Sequence, residues 1–348
     1  MKISIILPYK ENFSPEYPGA VSLFLKDVIK YSKYKKNIKI YGNTSFKKKL
    51  STNYINIDFK KFFFKSNNTS YVKKFLDHEK YSRSSLIEIH NRPDYINRIY
   101  KFNKNLVLYF HNNPLEMRSS KSISDRINIS KKSKKIIFNS KWTLNQFKKG
   151  INKNIIANKL EVINQSTSKK LINFQDKKKI ILFVGRLNSS KGYDIFGEAI
   201  INILNKYPEW KAIVIGDEPR EKHIFKHRNL KILGFQKYNS VTRWFIKSDI
   251  SVVCSRWNEP FGRTALEASS AGCAVIISDK GGLKEASPKA LKIKKLTVKN
   301  VENAIKKLIQ NEKFKKSLQK KIYKNFYLTN NYISKIIDLY RDKLISNN

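Results

Sequence analysis

Eleven short apolar runs alternate with longer amphipathic segments along the chain. The runs include "ISIILP", "LVLYFH", "KIILFVG" and "ISVVCS", and most are bounded by Gly, Asn or Ser. Continuous apolar runs of this length are typical of strands that are buried on both faces. Intervening segments such as "DIFGEAIINILNKY" carry apolar residues at helical spacing. This alternation predicts the α/β class, with parallel sheets and helices on both faces of each sheet.

The chain is long enough for two such sheets. It has 348 residues, and domains of about 150 residues are common. The segment "QSTSKKLINFQDKKK" (165–179) is polar and has no periodicity. We therefore predict a first domain over residues 1–170 and a second domain that begins at residue 171.

The net charge of +44 restricts the kinds of partner to consider. Lys and Arg number 71 against 27 Asp and Glu, which favours nucleic acid, an anionic membrane or a phosphorylated substrate. Bias toward Lys, Asn and Ile from an AT-rich genome would give the same composition. Two cysteines without a disulfide framework favour a reducing compartment, and we expect a cytoplasmic protein. We expect neither a signal peptide in "MKISIILPYK" nor a membrane-spanning segment.

Glycine marks the second domain as the ligand-binding half. Nine of the twelve glycines lie between Gly185 and Gly282. Gly185, Gly216 and Gly234 each end or closely follow an apolar run, where the backbone turns tightly or approaches a ligand. Ligands of open parallel sheets bind outside the carboxyl ends of the strands.

The stretch "FVGRLNSSKG" (183–192) is a candidate diphosphate clamp. It follows a predicted strand and offers a glycine turn, Arg186 and Lys191. Two cations at the carboxyl end of a strand suit a diphosphate. The stretch lacks the "GK[ST]" of a Walker loop. The alternative is a pair of surface cations in a Lys-rich protein.

The stretch "NEPFGRTALE" places two scarce acids around a predicted helix start. Pro260, Phe261 and Gly262 suit a turn that opens a helix, and the N–H groups of that helix would suit a phosphate. Glu259 precedes the helix, and Glu267 lies over a turn inside it, where a carboxylate can bind a vicinal diol. The alternatives are an acid favoured by the helix dipole and a solvated helix position.

Together these stretches resemble the retaining family 4 glycosyltransferases of the GT-B fold. "GRLNSSKG" is followed by the E-x7-E pattern of Glu259 and Glu267, then by "GG". "EYPGA" (16–20), "IEIHNRP" (88–94), "LYFHNNP" (108–114), "FNSKWTLNQF", "EVIN" and "LGFQKYNSV" fit the family in order. "NFYLTNNYISKIIDLYRDKL" resembles its terminal helix, which returns to the first domain. The resemblance covers nearly the whole chain.

The resemblance implies two Rossmann-like, doubly wound domains that face a cleft. The second domain would cover residues 171–325, and the terminal helix, residues 326–348, would join the first domain. The implied ligand contacts lie in both domains. Donor-binding candidates are Gly185, Arg186, Lys191, Gly234, Phe235, Glu259, Phe261, Gly262, Arg263, Thr264 and Glu267. His111 would sit at the reaction centre, with catalytic roles also for Glu259, Arg186 and Lys191, and Gly19 and His90 would lie on the acceptor side.

The implied activity is a metal-independent, retaining hexosyl transfer without a cofactor. The donor would be a nucleotide sugar, with a UDP-sugar favoured, and the acceptor a lipid-linked or envelope glycan such as lipopolysaccharide core or exopolysaccharide. A GT-B nucleotide-sugar hydrolase or epimerase is the enzymatic alternative. A nucleic-acid-binding protein is the other, and the spread of basic residues over both halves argues against it. Peripheral binding to an anionic membrane, through a Lys-rich helix over residues 24–36, is a further expectation.

Overall fold

The chain divides into two compact units. A computed structural model describes residues 1–59, 66–152 and 158–346. The first unit comprises Met1–Ser166 and Asn330–Asn348, and the second comprises Thr167–Thr329. The predicted boundaries, after residues 170 and 325, lie close to these. At the edge of the second unit, Thr167 N donates to Leu328 O at 3.1 Å, so the incoming and outgoing segments lie side by side.

The first unit contains a parallel sheet. Within the described residues it has seven strands in the order β3-β2-β1-β4-β5-β6-β7. The strands are β1 (Ile3–Ile6), β2 (Ile38–Gly42), β3 (Tyr54–Asn56), β4 (Leu86–His90), β5 (Leu106–Phe110), β6 (Lys135–Phe138) and β7 (Leu160–Val162). The α-helices are α1 (Ala20–Ile29), α2 (Asn67–Tyr81), α3 (Ile96–Ile99), α4 (Ile123–Lys132), α5 (Lys141–Lys148) and, from the chain end, α12 (Asn330–Ser346).

The second unit repeats this plan. Its described residues form a six-stranded parallel sheet in the order β10-β9-β8-β11-β12-β13. The strands are β8 (Lys178–Val184), β9 (Lys211–Ile215), β10 (Leu230–Ile232), β11 (Ser248–Val253), β12 (Ala274–Ser278) and β13 (Leu291–Ile293). The helices are α6 (Tyr193–Lys206), α7 (Tyr238–Lys247), α8 (Arg263–Ser270), α9 (Leu283–Ala286), α10 (Val298–Gln310) and α11 (Glu312–Lys324).

The predicted α/β class with parallel sheets is confirmed. All eleven apolar runs contain strands, and the central strands β1, β4, β5 and β12 are buried at every position. Strands β3 and β13 were not predicted. Each has three residues and lies at a sheet edge, so neither needs a continuous apolar run.

The terminal helix α12 belongs to the first unit and is attached there by buried charges. Arg341 bonds both carboxylate oxygens of Glu88 on β4, at 2.7 and 2.8 Å. Asp338 accepts from the hydroxyl of Ser32 at 2.7 Å and from the backbone N–H of Lys33 at 2.8 Å. Because Arg341 and Glu88 are each about 2% exposed, the pair fixes the helix to the middle of the sheet.

The prediction of a membrane-binding helix over residues 24–36 is wrong. Helix α1 ends at Ile29. Its apolar residues Phe24, Leu25 and Val28 are each 1% exposed, because they pack into the core of the first unit. Downstream, Lys33 pairs with Asp342 of α12 at 2.7 Å. The apolar side of this segment is therefore not available to a bilayer. None of the described helices is long and apolar enough to cross a membrane.

Candidate functional site

The strand order of the second sheet reverses between β8 and β11. From β8 the chain builds outward through β9 and β10, and it then returns to place β11 on the other side of β8. In such sheets the loops after the two central strands diverge and leave a crevice at their carboxyl ends. The loops that follow β8 and β11 are "GRLNSSKG" and "CSRWNEPFG", which contain most of the predicted donor residues.

Three predicted glycines form a row across this edge of the sheet. Gly185 N donates to Ile215 O at 3.0 Å, and Gly216 N donates to Gly234 O at 2.9 Å. A Cβ on Gly216, whose φ is 139°, would overlap the carbonyl oxygen of Gly185. Gly234 has a φ of 64° and open space on the side where a Cβ would lie. The row leaves bare backbone where a ligand can approach closely.

The loop after β8 is hydrogen-bonded to the loop after β11. Ser190 O accepts from the backbone N–H groups of Arg256 and Trp257, at 3.0 Å each. Gly192 has a φ of 73°, and a Cβ there would overlap the carbonyl oxygen of Cys254. Only glycine permits this close approach, which holds the two loops in one arrangement.

Lys191 and Glu259 are brought together by this arrangement. The Lys191 ammonium donates to Glu259 Oε1, and the Ser255 hydroxyl donates to the same oxygen at 3.0 Å. The Lys191 Nζ also lies 5.1 Å from the centroid of the Trp257 ring. Glu259 is 8% exposed, so its carboxylate is held by a charge partner and a hydroxyl. Arg186 lies on the same loop as Lys191 and is exposed.

Helix α8 begins directly after Gly262, as the sequence predicted. Gly262 has a φ of 109° and no side chain to cap the helix. The preceding turn is fixed from behind: Gly282 N donates to Glu259 O at 2.7 Å, and a Cβ on Gly281 would overlap that same oxygen. The "GG" of the sequence therefore positions Glu259, Phe261 and the first turn of α8. N–H groups at such a helix start favour an anion.

Glu267 lies on α8, one turn beyond that start. Its Oε1 accepts from Arg263 Nε at 2.8 Å, four residues earlier on the same helix. The Thr264 hydroxyl lies 3.5 Å from Val184 O, which places the first turn of α8 beside the end of β8. Phe261 is buried, whereas Phe235, after Gly234, is 45% exposed. The donor-binding candidates thus all lie in the second unit, at the carboxyl ends of its strands.

The remaining candidates, Gly19, His90 and His111, lie in the first unit. His90 ends β4 and His111 follows β5, and these strands are neighbours in the sheet. His90 Nδ1 and His111 Nε2 are 3.0 Å apart, and both residues are buried. Burial lowers the pKa of each imidazole, and for His111 the neighbouring His90 lowers the pKa further. Both rings are therefore neutral near pH 7.

Glu88 stands two residues before His90 and was not among the predicted site residues. Its Oε2 lies 3.9 Å from His90 Nε2. Burial alone would raise the pKa of Glu88, but the Arg341 charge and its hydrogen bonds outweigh burial and lower the pKa to about 2. Glu88 is one of the few acids in a strand-like run, and that rarity was the available signal.

Glu11 was also missed, beside Gly19. Its Oε1 accepts from Ser22 N at 2.9 Å, so a carboxylate lies at the N-terminus of α1. Burial raises the pKa of Glu11 despite this bond. Gly19 precedes the helix, and a Cβ there would overlap the Glu11 carboxylate. No local pattern in the sequence links residues 11 and 19.

Comparisons with known proteins agree with this architecture. Residues 164–325 match the family described as glycosyl transferases group 1. The lipopolysaccharide core biosynthesis mannosyltransferase LpsB of Rhizobium meliloti is 30% identical over 133 residues, which are 35% of this chain and 37% of that protein. The chain spans about a third of the length of the first curated relatives that it matches.

Solved structures match over the whole chain. Sucrose-phosphate synthase from Thermosynechococcus elongatus has a TM-score of 0.77 at 15% identity and covers 100% of both chains. Anabaena HepE in complex with UDP-glucose has a TM-score of 0.75 at 17% identity and covers 99% of this chain and 100% of its own. The chain therefore has the GT-B fold, and its residues 164–325 match the family of the glycosyl transferases group 1.

Proposed function

We propose that the protein is a retaining glycosyltransferase that uses a nucleotide-sugar donor. The observation that carries the proposal is the ion pair of Lys191 and Glu259, held beside the start of α8 where the second sheet changes direction. A cation, a carboxylate and the N-terminus of a helix at one place suit a sugar joined to a diphosphate, which presents both anionic and hydroxyl groups.

The electrostatics of this site favour departure of a diphosphate. Negative charge develops on the leaving group as the sugar–phosphate bond breaks, and fixed positive groups stabilise it. Lys191, Arg186 and the first turn of α8 supply those groups. In the structure Glu259 is the partner of Lys191. A bound diphosphate would take over Lys191, which leaves the Glu259 carboxylate to accept a hydrogen bond from a sugar hydroxyl.

The other assignments follow the family resemblance. Glu267 would bind the ribose diol, and the Phe261–Gly262 backbone with Arg263 and Thr264 would bind the distal phosphate. Gly234 and Phe235 would lie beside the base, and His111 would contact the transferred sugar. The leaving phosphate would take the acceptor proton on the face from which it departs, so the anomeric configuration is retained. Since these cations balance the charge, we propose that neither a metal nor a cofactor is required.

Two similarities support a particular donor and acceptor. HepE was solved in complex with UDP-glucose, and its fold matches over the whole chain. LpsB is named for lipopolysaccharide core biosynthesis. We therefore favour a UDP-sugar as donor and a lipid-linked or envelope glycan, such as lipopolysaccharide core or exopolysaccharide, as acceptor.

Thermal stabilisation by nucleotide sugars tests the donor. A ligand at 100 times its Kd stabilises the folded state by about 2.7 kcal/mol, which shifts the Tm by several degrees. UDP-, GDP- and ADP-sugars are compared on wild type, Lys191→Ala and Glu198→Ala, an exposed control on α6. We expect one UDP-sugar to stabilise wild type and Glu198→Ala but not Lys191→Ala. Equal stabilisation of all three proteins would contradict the site.

Product analysis tests the reaction. Proton NMR of the product should show the anomeric configuration of the donor, and turnover should depend on an added glycan acceptor. Release of free sugar at the same rate without an acceptor would instead identify a hydrolase.

We also propose cytoplasmic location with docking of the first unit on an anionic membrane. Since the apolar side of α1 is buried, surface charge alone would drive the docking, at about 1 kcal/mol per basic residue near the surface. Binding to phosphatidylserine vesicles should fall with salt. Charge reversal at the exposed Lys35 and Lys36 should weaken it more than reversal of two exposed lysines in the second unit, Lys313 and Lys316. Equal weakening would exclude an oriented face.

A further inference from the structure

The two buried histidines of the first unit share one hydrogen bond. His90 is 1% exposed and His111 is 7% exposed, and the bond joins Nδ1 of the first to Nε2 of the second at 3.0 Å. Tyr109 stacks on the His90 ring at 4.2 Å, and Phe24 packs edge-on against the His111 ring at 5.6 Å. The surrounding rings fix both imidazoles, so the proton between them has only two possible arrangements.

In the first arrangement His111 is the donor. Its Nε2–H points to His90 Nδ1, and His90 carries its own proton on Nε2, toward the Glu88 carboxylate at 3.9 Å. His111 Nδ1 then holds a lone pair. In this arrangement the N–H bonds of both rings point toward the Glu88 carboxylate.

In the second arrangement His90 is the donor, and its Nε2 end becomes unfavourable. The lone pair of His90 Nε2 would face the ionised Glu88. The proton at the other end would sit on His111 Nδ1. His111 Nδ1 and His90 Nε2 are both buried without a hydrogen-bond partner among the described residues, so either arrangement leaves one buried N–H unbonded. The Glu88 carboxylate near His90 Nε2 therefore decides between the two arrangements and favours the first.

We propose that Glu88 and His90 are positioning residues that hold His111 as its neutral Nε2–H tautomer. Arg341 completes the device, since it bonds both Glu88 oxygens and keeps that carboxylate ionised without placing a net charge beside the rings. In metal sites, too, a hydrogen bond to the second ring nitrogen fixes the tautomer of a functional histidine.

The consequence for ligand binding rests on the proposed function. With Nε2 committed to His90, the Nδ1 lone pair is the acceptor that the ring keeps, and a ligand would reach this buried atom only after a local rearrangement. His111 would then accept a hydrogen bond from a hydroxyl of the transferred sugar, and it would not bind a phosphate or act as an acid.

Long-range proton–nitrogen NMR of ring-¹⁵N-histidine protein tests the tautomer without any donor sugar. The chain has five histidines, and His111→Gln identifies the signals of His111. We expect a pyrrole-like Nε2 and a pyridine-like Nδ1 for His111 near pH 7. A protonated Nδ1 in wild type overturns the proposal. This result stands whether or not the protein transfers sugar.

Two substitutions at His90 separate positioning from packing. In His90→Asn the side-chain oxygen can occupy the place of Nδ1 and accept from His111, whereas His90→Leu has no acceptor. We expect His90→Leu to alter the His111 tautomer signals and lower kcat about 10- to 100-fold, the usual effect of losing such a partner. His90→Asn should keep the signals and recover about tenfold of the activity. His78→Leu, exposed on α2, is the control. Unchanged His111 signals in His90→Leu, or equal loss of kcat in both variants, would overturn the positioning role.

Discussion

Truncation of Arg341 should destabilise the first unit strongly, through the charge that it leaves behind. Arg341→Met keeps most of the apolar stem but removes two hydrogen bonds, at 2.7 and 2.8 Å, from a carboxylate that is 2% exposed. Breaking a buried ion pair from one side costs about 3–5 kcal/mol, because the remaining charge is uncompensated.

The pKa of Glu88 gives a second, independent magnitude. A fall from the ordinary 4.5 to about 2 corresponds to roughly 3 kcal/mol of stability at neutral pH, at about 1.4 kcal/mol per pH unit. The sign follows from the lowered pKa: this contribution is complete above about pH 4.5 and is lost as the pH falls toward 2. In Arg341→Met the buried carboxyl should instead have a raised pKa. The difference between the two proteins should therefore be largest at pH 7 and shrink below about pH 5.

Urea unfolding followed by circular dichroism measures this difference. The set is wild type, Arg341→Met, Glu88→Gln and the double variant, with Lys33→Met as a control for an exposed ion pair. We expect Arg341→Met to lower the free energy of unfolding by about 3 kcal/mol and Lys33→Met to lower it by less than 1 kcal/mol. The double variant should lose much less stability than Arg341→Met and Glu88→Gln lose together. A cost below 1 kcal/mol for Arg341→Met, or additive single effects, would refute the reasoning.

The remaining predictions concern the second unit. Glu267→Ala should weaken binding of the nucleoside diphosphate by about 1.5–3 kcal/mol with the fold intact; calorimetric titration against the Glu198→Ala control checks this, and unchanged affinity would exclude the ribose contact. Turnover should persist in excess chelator, and Arg186→Ala and Lys191→Ala should each lower it with non-additive effects; activity that disappears with chelator and returns with magnesium or manganese would contradict the mechanism. Gly192→Ala should destabilise the second unit by more than 1 kcal/mol, because its φ of 73° and the Cys254 carbonyl leave no room for a methyl group; a melting temperature equal to that of wild type would contradict the close approach of the two loops.

The fold was readable because buried parallel strands leave a strong local signal. A strand such as β5, with five buried apolar residues, has one character over its whole length. Edge strands such as β3 have only partly buried positions and carry no such run. The terminal helix α12 was placed through the family resemblance, since its attachment depends on Arg341 and Glu88, 253 residues apart.

The candidate site also combines residues that lie in local motifs with residues that only the fold brings together. The stretches around Lys191 and Glu259 are local motifs with a turn, a glycine and a charge in fixed order, and the structure joins them in one ion pair. The bond between His90 and His111 depends on which strands are neighbours, and the bond that keeps Glu88 charged depends on Arg341 at the far end of the chain. A single sequence shows the three residues but not their contact.

Scarce acids explain how a chain of net charge +44 keeps an ordered interior. Among the described residues, the Asp and Glu residues that are buried as a whole are each in an ion pair with Lys or Arg; they are Glu79, Glu88, Asp249, Glu259, Glu302 and Asp338. Each of these carboxylates needs a cationic partner because a buried charge without one is costly. Exposed lysines carry no such requirement because they stay hydrated, and their mutual repulsion is screened by salt. Glu259 differs from the other five in one respect: its partner, Lys191, is the cation that we assign to the donor diphosphate, and this pair is the one that ligand binding would exchange.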